Sequence, residues 1–150
     1  NKQQIMKAIA LTKKFNLESR ASFVIGLPTE TKETILETIN FARNLELDYA
    51  SFSIAVPYPG TELYEIAKRE NRIIEDKWDN YIQTVGFTKR NPVYCPPYIS
   101  EDALKQLQKY AFRRFYFHRR RILKKIIALR HRDEIVRYFN IFTKYILGLN

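Results

Sequence analysis

The chain has 150 residues, of which 45% are hydrophobic, 28% charged and 14% aromatic, a composition that folds and excludes a wholly disordered chain. A single cysteine, Cys95, excludes a disulfide framework and a multi-cysteine zinc or iron–sulfur site within the chain. The net charge is +10, yet residues 103–132 hold 11 basic and no acidic side chains against 15 basic and 16 acidic elsewhere, which excludes a uniformly basic, histone-like protein.

No apolar run approaches the roughly 18 residues needed to span a bilayer. The first residues, Asn-Lys-Gln-Gln, carry neither a signal-peptide core nor an initiator Met, so a piece of a longer polypeptide is expected. In chain order, Lys2 to Phe15 predicts an amphipathic helix with Ile5, Ile9, Thr12 and Phe15 on one side. Ser22-Phe23-Val24-Ile25 predicts a short buried strand, ended by Gly26-Leu27-Pro28. Thr31 caps a helix with Ile35, Ile39 and Ala42 inward. Tyr49 to Val56 predicts a second strand, stopped at Pro57-Tyr58-Pro59-Gly60, after which Thr61 caps a helix running to about Asn71.

Strands alternating with helices of this length predict parallel pairing. Two strands cannot bury their own faces, so further strands and an exposed apolar edge are expected. Residues 72–100 are expected to be irregular, with Trp78, Tyr81, Phe87, Tyr94 and Tyr98 recurring without period. Ser100 caps a helix whose stripe is Leu104, Leu107, Ala111, Phe115, Ile122, Ile126 and Leu129. A last helix is expected over Asp133–Leu147, with Ile135, Phe139, Phe142 and Ile146 inward.

Two segments carry chemistry. Gly26-Leu27-Pro28-Thr29-Glu30-Thr31 follows a strand and opens a helix, where a glycine permits close approach and the helix start offers free N–H groups. Pro57-Tyr58-Pro59-Gly60-Thr61 lies at the corresponding end of the next strand. The carboxyl ends of parallel strands are where α/β folds bind ligands, although both segments also suit ordinary capped βα turns. Cys95, within Pro92-Val93-Tyr94-Cys95-Pro96-Pro97, reads as a ligand in a loop or as a half-buried small hydrophobe. His118 and His131 stand among Arg and Lys, a positive field unsuited to a metal.

Together, Phe23 to Thr31, with Thr34-Ile35, Thr38-Ile39 and Phe41-Ala42, and Asp48 to Leu63 resemble the C-terminal half of a radical S-adenosylmethionine enzyme core. The likeness is to the cobalamin-binding-domain subgroup, that of the anaerobic magnesium-protoporphyrin IX monomethyl ester cyclases. Tyr110-Ala111-Phe112-Arg113-Arg114-Phe115-Tyr116-Phe117 is similar to that subgroup's helical extension. The resemblance covers most of residues 2–125.

It implies an α/β fold, the C-terminal portion of a partial (β/α) TIM-like barrel followed by a mostly α-helical basic extension. The parts are 1–71 as barrel, 72–100 as connection and 101–150 as extension. It implies S-adenosylmethionine, a [4Fe–4S] cluster ligated outside this chain, and cobalamin held in a domain also outside it. Val24, Gly26, Ala55 and Pro57 match the family's adenine-contacting positions, whereas Pro28 and Glu30 match structural ones. Methyl transfer through cobalamin and radical ring closure are the outcomes it implies for a whole enzyme, which is expected in the cytoplasm, either free or associated with a membrane.

The family's CxxxCxxC motif and its Gly-Gly-Glu-type segment are absent. Thr29 stands where many relatives have Gly, and His118-Arg119 where relatives often have Arg-Pro. This chain alone is therefore expected not to cleave S-adenosylmethionine. The alternative is a binding module in which the basic, aromatic helix 103–132 docks nucleic acid or an anionic membrane surface through Arg113, Arg114, Arg119, Arg120, Arg121, Lys124 and Lys125.

Overall fold

The computed structural model describes residues 1–74, 81, 91–118 and 121–122. The expectations for Trp78, Phe87, Arg119, Arg120, Lys124, Lys125, Ile126, Leu129, His131 and the helix 133–147 lie outside those residues.

The elements are α1 (Lys2–Lys14), β1 (Arg20–Ile25), α2 (Lys32–Asn44), β2 (Tyr49–Ile54), α3 (Glu62–Arg69) and α4 (Glu101–Tyr116). Each helix begins where a short polar side chain accepts an otherwise orphaned backbone N–H. Asn1 accepts from Gln4, Thr31 from Thr34, Thr61 from Tyr64 and Ser100 from Ala103. Asn16 leaves α1 at φ 56°, in the left-handed region that Asn tolerates.

β1 and β2 pair in parallel, with Arg20 opposite Tyr49 and Ile25 opposite Ile54. This α/β arrangement agrees with the expected class. Phe23, Ile25, Phe52 and Ile54 share one face, and α2 and α4 close over it with Ile35, Ile39, Ala42, Leu104, Leu107, Ala111 and Phe115. Phe52 stacks on Phe23 with ring centroids 5.3 Å apart and meets Phe115 edge-on at 6.2 Å. Burying each such side chain contributes about 1.5–3 kcal/mol, so the core rests on contacts between the strands and both helices.

Several expectations are corrected. β1 is half-buried rather than buried: Ile25 is enclosed, whereas Val24 is 48% exposed. The strand starts at Arg20, and its alternation becomes visible only once Arg20-Ala21-Ser22 is included. On α1 only Ile9 is buried, while Ile5 and Phe15 are exposed. Ile122 is exposed and so leaves the stripe expected on the basic helix.

Among the described residues, the two edges of the sheet differ. At β2, the Tyr116 hydroxyl donates to the Ala50 carbonyl at 2.7 Å and accepts from the Ala50 N–H at 3.2 Å. The Gln108 amide, itself buried, donates to the Phe52 carbonyl at 2.8 Å. Two side chains of α4 thus supply the hydrogen bonds that a further strand would make. Among the described residues no helix is long and apolar enough to cross a membrane.

At the amino ends of the strands, Asp48 accepts from the Ser19 N–H at 2.8 Å, the Ser19 hydroxyl at 3.0 Å and the Lys13 ammonium. Burial acts to raise the Asp48 pKa, but these donors outweigh it and hold the carboxyl below its usual range. This knot ties the end of α1 to both strand starts.

Candidate functional site

The two motif segments lie beyond the carboxyl ends of adjacent parallel strands and are joined by the Ala55 N–H donating to the Ile25 carbonyl at 2.8 Å. Gly26 has φ +85°, a conformation that L side chains rarely adopt. A Cβ on Gly26 would also stand 3.1 and 3.2 Å from the two methyl carbons of Leu104 on α4. The glycine is therefore required both by the turn and by the helix behind it.

Glu30 fixes the front of this turn. Its carboxylate accepts from the Gly26 N–H at 2.6 Å and from the Leu27 N–H at 2.8 Å. Across the gap, the Thr61 hydroxyl donates to the Tyr58 carbonyl at 2.6 Å while accepting from the Tyr64 N–H. The Tyr58 hydroxyl donates to the Tyr81 carbonyl at 2.8 Å. Gly60 also has φ +85°, but nothing lies within 4 Å of a Cβ placed there, so that glycine serves the turn alone.

Val24, Gly26, Ala55 and Pro57 are brought together at this edge, but they differ in what they present. Val24 projects its side chain from the open face of the sheet, across from Ser53. Ala55 and Pro57 are buried. The Gly26 and Ala55 N–H groups are already committed, to Glu30 and Ile25, and proline has none. Among the described residues no hydrogen bond reaches the carbonyls of Gly26, Ala55 or Pro57. Gly26 is buried like Ala55 and Pro57, so Val24 is the exposed member of the four.

The remainder of the open face is polar: Ser22 and Ser51 hydrogen-bond through their hydroxyls at 2.9 Å, next to Ser53. The sequence reading passed over these serines. Their signal is the period-two alternation of Ala50-Ser51-Phe52-Ser53-Ile54. Leu104 lies on the inward stripe expected of its helix, but nothing local in the sequence signals its contact with Gly26.

Cys95 is part of the core, and burial, with the negative charge of Glu101 adding to it, pushes its thiol up to about 11. Its place in the buried cluster fits the reading as a small hydrophobe. Among the described residues no group of three or more His, Cys, Asp and Glu could hold a metal ion. An iron–sulfur cluster does not fit the donors of this chain.

The basic window divides in two. Arg113 and Arg114 are exposed on α4. Arg121 instead turns inward, its guanidinium donating to the carbonyls of Leu45 at 2.6 Å, Phe115 at 3.0 Å, Arg43 at 3.1 Å and Leu47 at 3.4 Å. Burial lowers its pKa below the usual arginine range, and the guanidinium lies 3.7 Å from the Phe115 ring centroid.

No family model matches the chain. Among curated proteins, it is 37% identical to an uncharacterized methyltransferase of Pyrococcus horikoshii over 83% of this chain and 26% of that protein. It is 27% identical to an anaerobic magnesium-protoporphyrin IX monomethyl ester cyclase of Cereibacter sphaeroides, over 73% of this chain and 17% of that protein. It is 37% identical to a putative methylthiotransferase of Methanocaldococcus jannaschii over 47% of this chain and 17% of that protein. The chain thus spans about a quarter or less of the length of these relatives. Their names are those of radical S-adenosylmethionine enzymes, and over the part they share the chain belongs with that family.

Proposed function

We propose that this chain is the C-terminal part of a radical S-adenosylmethionine enzyme and forms one wall of its S-adenosylmethionine pocket. The observation that supports this reading is the pairing of two parallel strands whose carboxyl ends bring Val24, Gly26, Ala55 and Pro57 to one edge. The face of an adenine lies against the aliphatic Val24 side chain in this arrangement.

On this reading β1 and β2 are neighbouring strands of a partial (β/α) barrel, with Ser22, Val24, Ser51 and Ser53 facing its interior. The polar open face and the apolar covered face then follow from one alternation. A [4Fe–4S] cluster, when held by residues outside this chain, would supply the electron for cleavage of S-adenosylmethionine. This chain's residues bind and orient. Glu30 fixes the Gly26 turn by its two hydrogen bonds, and Leu104 supports it from behind. Methyl transfer, methylthio transfer and ring closure are the chemistries named among the relatives, and the proposal includes them only as the class of outcome for the whole protein.

The test uses the whole polypeptide, reconstituted anaerobically with iron and sulfide and supplied with a reductant and S-adenosylmethionine. Formation of 5′-deoxyadenosine is the expected result. Absence of both cluster absorbance and 5′-deoxyadenosine overturns the proposal. Val24→Asp, which puts a charge on the exposed apolar flank, should weaken S-adenosylmethionine binding without unfolding the protein.

A further inference from the structure

The outward face of α4 is the largest feature that this proposed pocket does not use. Its inward residues, Leu104, Leu107, Ala111 and Phe115, are spent on the core. Outward, Lys109, Arg113 and Phe117 follow one another at i, i+4 and i+8, with Tyr110 and Arg114 alongside. Tyr110 is 43% exposed and Phe117 40%.

The charges on this helix change character along its length. In the first turn Lys105 pairs with Glu101 at 2.7 Å. Further along, among the described residues no carboxylate pairs with Lys109, Arg113 or Arg114. Lys109 and Arg113 are like charges at i, i+4, a spacing that disfavours a helix. The helix dipole accounts for cations in the last turn, where Arg113 and Arg114 lie, but not for Lys109 or for two exposed rings.

We infer that this face of α4 binds single-stranded nucleic acid. Lys109, Arg113 and Arg114 meet the phosphates, and the Tyr110 and Phe117 rings stack on bases. A duplex hides its base faces and leaves the rings without a partner, whereas a single strand exposes them. A membrane surface fits less well, because a helix that lies on lipid inserts a broad apolar face, and the apolar face of α4 is buried in the core. The sequence continues the positive charge at Arg119, Arg120, Lys124 and Lys125.

The experiment measures fluorescence anisotropy of a labelled oligothymidylate of about 15 nucleotides, matched to typical single-strand site sizes, with the whole polypeptide across a salt series. The triple variant Lys109→Gln, Arg113→Gln, Arg114→Gln should bind about tenfold more weakly or worse, with the slope of log K against log salt reduced by about 2. Tyr110→Ala should weaken binding by about fivefold or more at unchanged salt slope, and Tyr110→Phe should restore it. All these positions are exposed, so the variants keep the fold, which a thermal melt confirms. Arg121 stays unaltered because its charge is committed inside. Equal binding by the triple variant overturns the inference. So does loss of charge dependence on the oligonucleotide together with retention on phosphatidylserine vesicles, or equal affinity for dextran sulfate with no effect of Tyr110→Ala. None of these readouts requires cofactor binding, so the inference stands or falls separately from the proposed pocket.

Discussion

Replacing Arg121 with Gln tests whether the basic window is one functional unit. The guanidinium reaches three carbonyls at and just beyond the end of α2, those of Arg43, Leu45 and Leu47, and the Phe115 carbonyl on α4. Carbonyls in the last turn of a helix have no partner of their own, so Arg121 acts as the C-terminal cap of α2. A hydrogen bond from a charged donor contributes about 1.5–3 kcal/mol. Four bonds made by one half-buried side chain are not additive, and water replaces some of them, so two at the lower end, about 3 kcal/mol, is the expected loss. The cation–π contact with Phe115 adds about 0.5–1 kcal/mol. At 1.4 kcal/mol per factor of ten, local opening of the α2 terminus should become roughly 300- to 700-fold more frequent. Hydrogen–deuterium exchange of the peptide covering residues 43–47 reads this directly. Arg121→Lys should recover less than half of the loss, because an ammonium lacks the planar fork. Arg113→Gln, at an exposed site, should change nothing there beyond about 0.5 kcal/mol. Equal exchange in the Arg121→Gln and Arg113→Gln proteins would refute the capping role.

Three further outcomes are expected. Gly26→Ala adds a methyl group against Leu104 at φ +85°, so it should destabilise by about 2 kcal/mol or more, and Leu104→Ala in the same chain should relieve the crowding but not the backbone strain; a urea melt indistinguishable from the parent would contradict this. The Asp48 carboxyl is held below its usual value of 3.8, so its contribution is complete above that pH and is lost as pH falls through the depressed value of the folded state. Asp48→Asn should remove this part of the acid unfolding limb, and an unchanged acid limb would count against the Lys13–Asp48–Ser19 knot. The Cys95 thiol, raised to about 11, should resist iodoacetamide at pH 8 in the folded protein and react promptly in denaturant, whereas fast labelling of the native chain would show that the thiol is accessible.

The helix starts were legible because a cap is a local device: Thr31, Thr61 and Ser100 each bond within three residues of themselves. The motif turns were legible for the same reason, since Gly26 and Gly60 mark positive φ wherever they occur. The sidedness of the elements was less so. Within the basic helix, Phe112, Phe115 and Tyr116 pack inward while Tyr110 and Phe117 face out, and composition alone does not distinguish them. The distant contacts left no signal. Arg121 and Leu47 are 74 positions apart, and Tyr116 and Ala50 are 66 apart, so nothing beside either residue announces the other. At the candidate site, the segments were found from sequence, but the division of labour was not. Glu30 takes the Gly26 N–H, which is therefore committed within the turn.

The charge boundary near residue 103 suggested a basic appendix attached to a neutral fold, and the packing argues otherwise. The helix that opens the basic stretch is the same one that seals β2, covers Phe52 and supports Gly26. The two edges of the sheet are consequently unequal. A strand arriving at β2 has to displace Gln108 and Tyr116, each of which satisfies backbone groups that would otherwise be buried and unpaired, at about 1–3 kcal/mol per group. A strand arriving at β1 displaces nothing among the described residues, because β2 is its only neighbour there. Ile5 and Phe15 of α1 are left exposed by this part of the chain as well. Among the described residues the sheet has one sealed and one open edge, so a strand that completes the proposed barrel is expected beside β1, with α4 left in place.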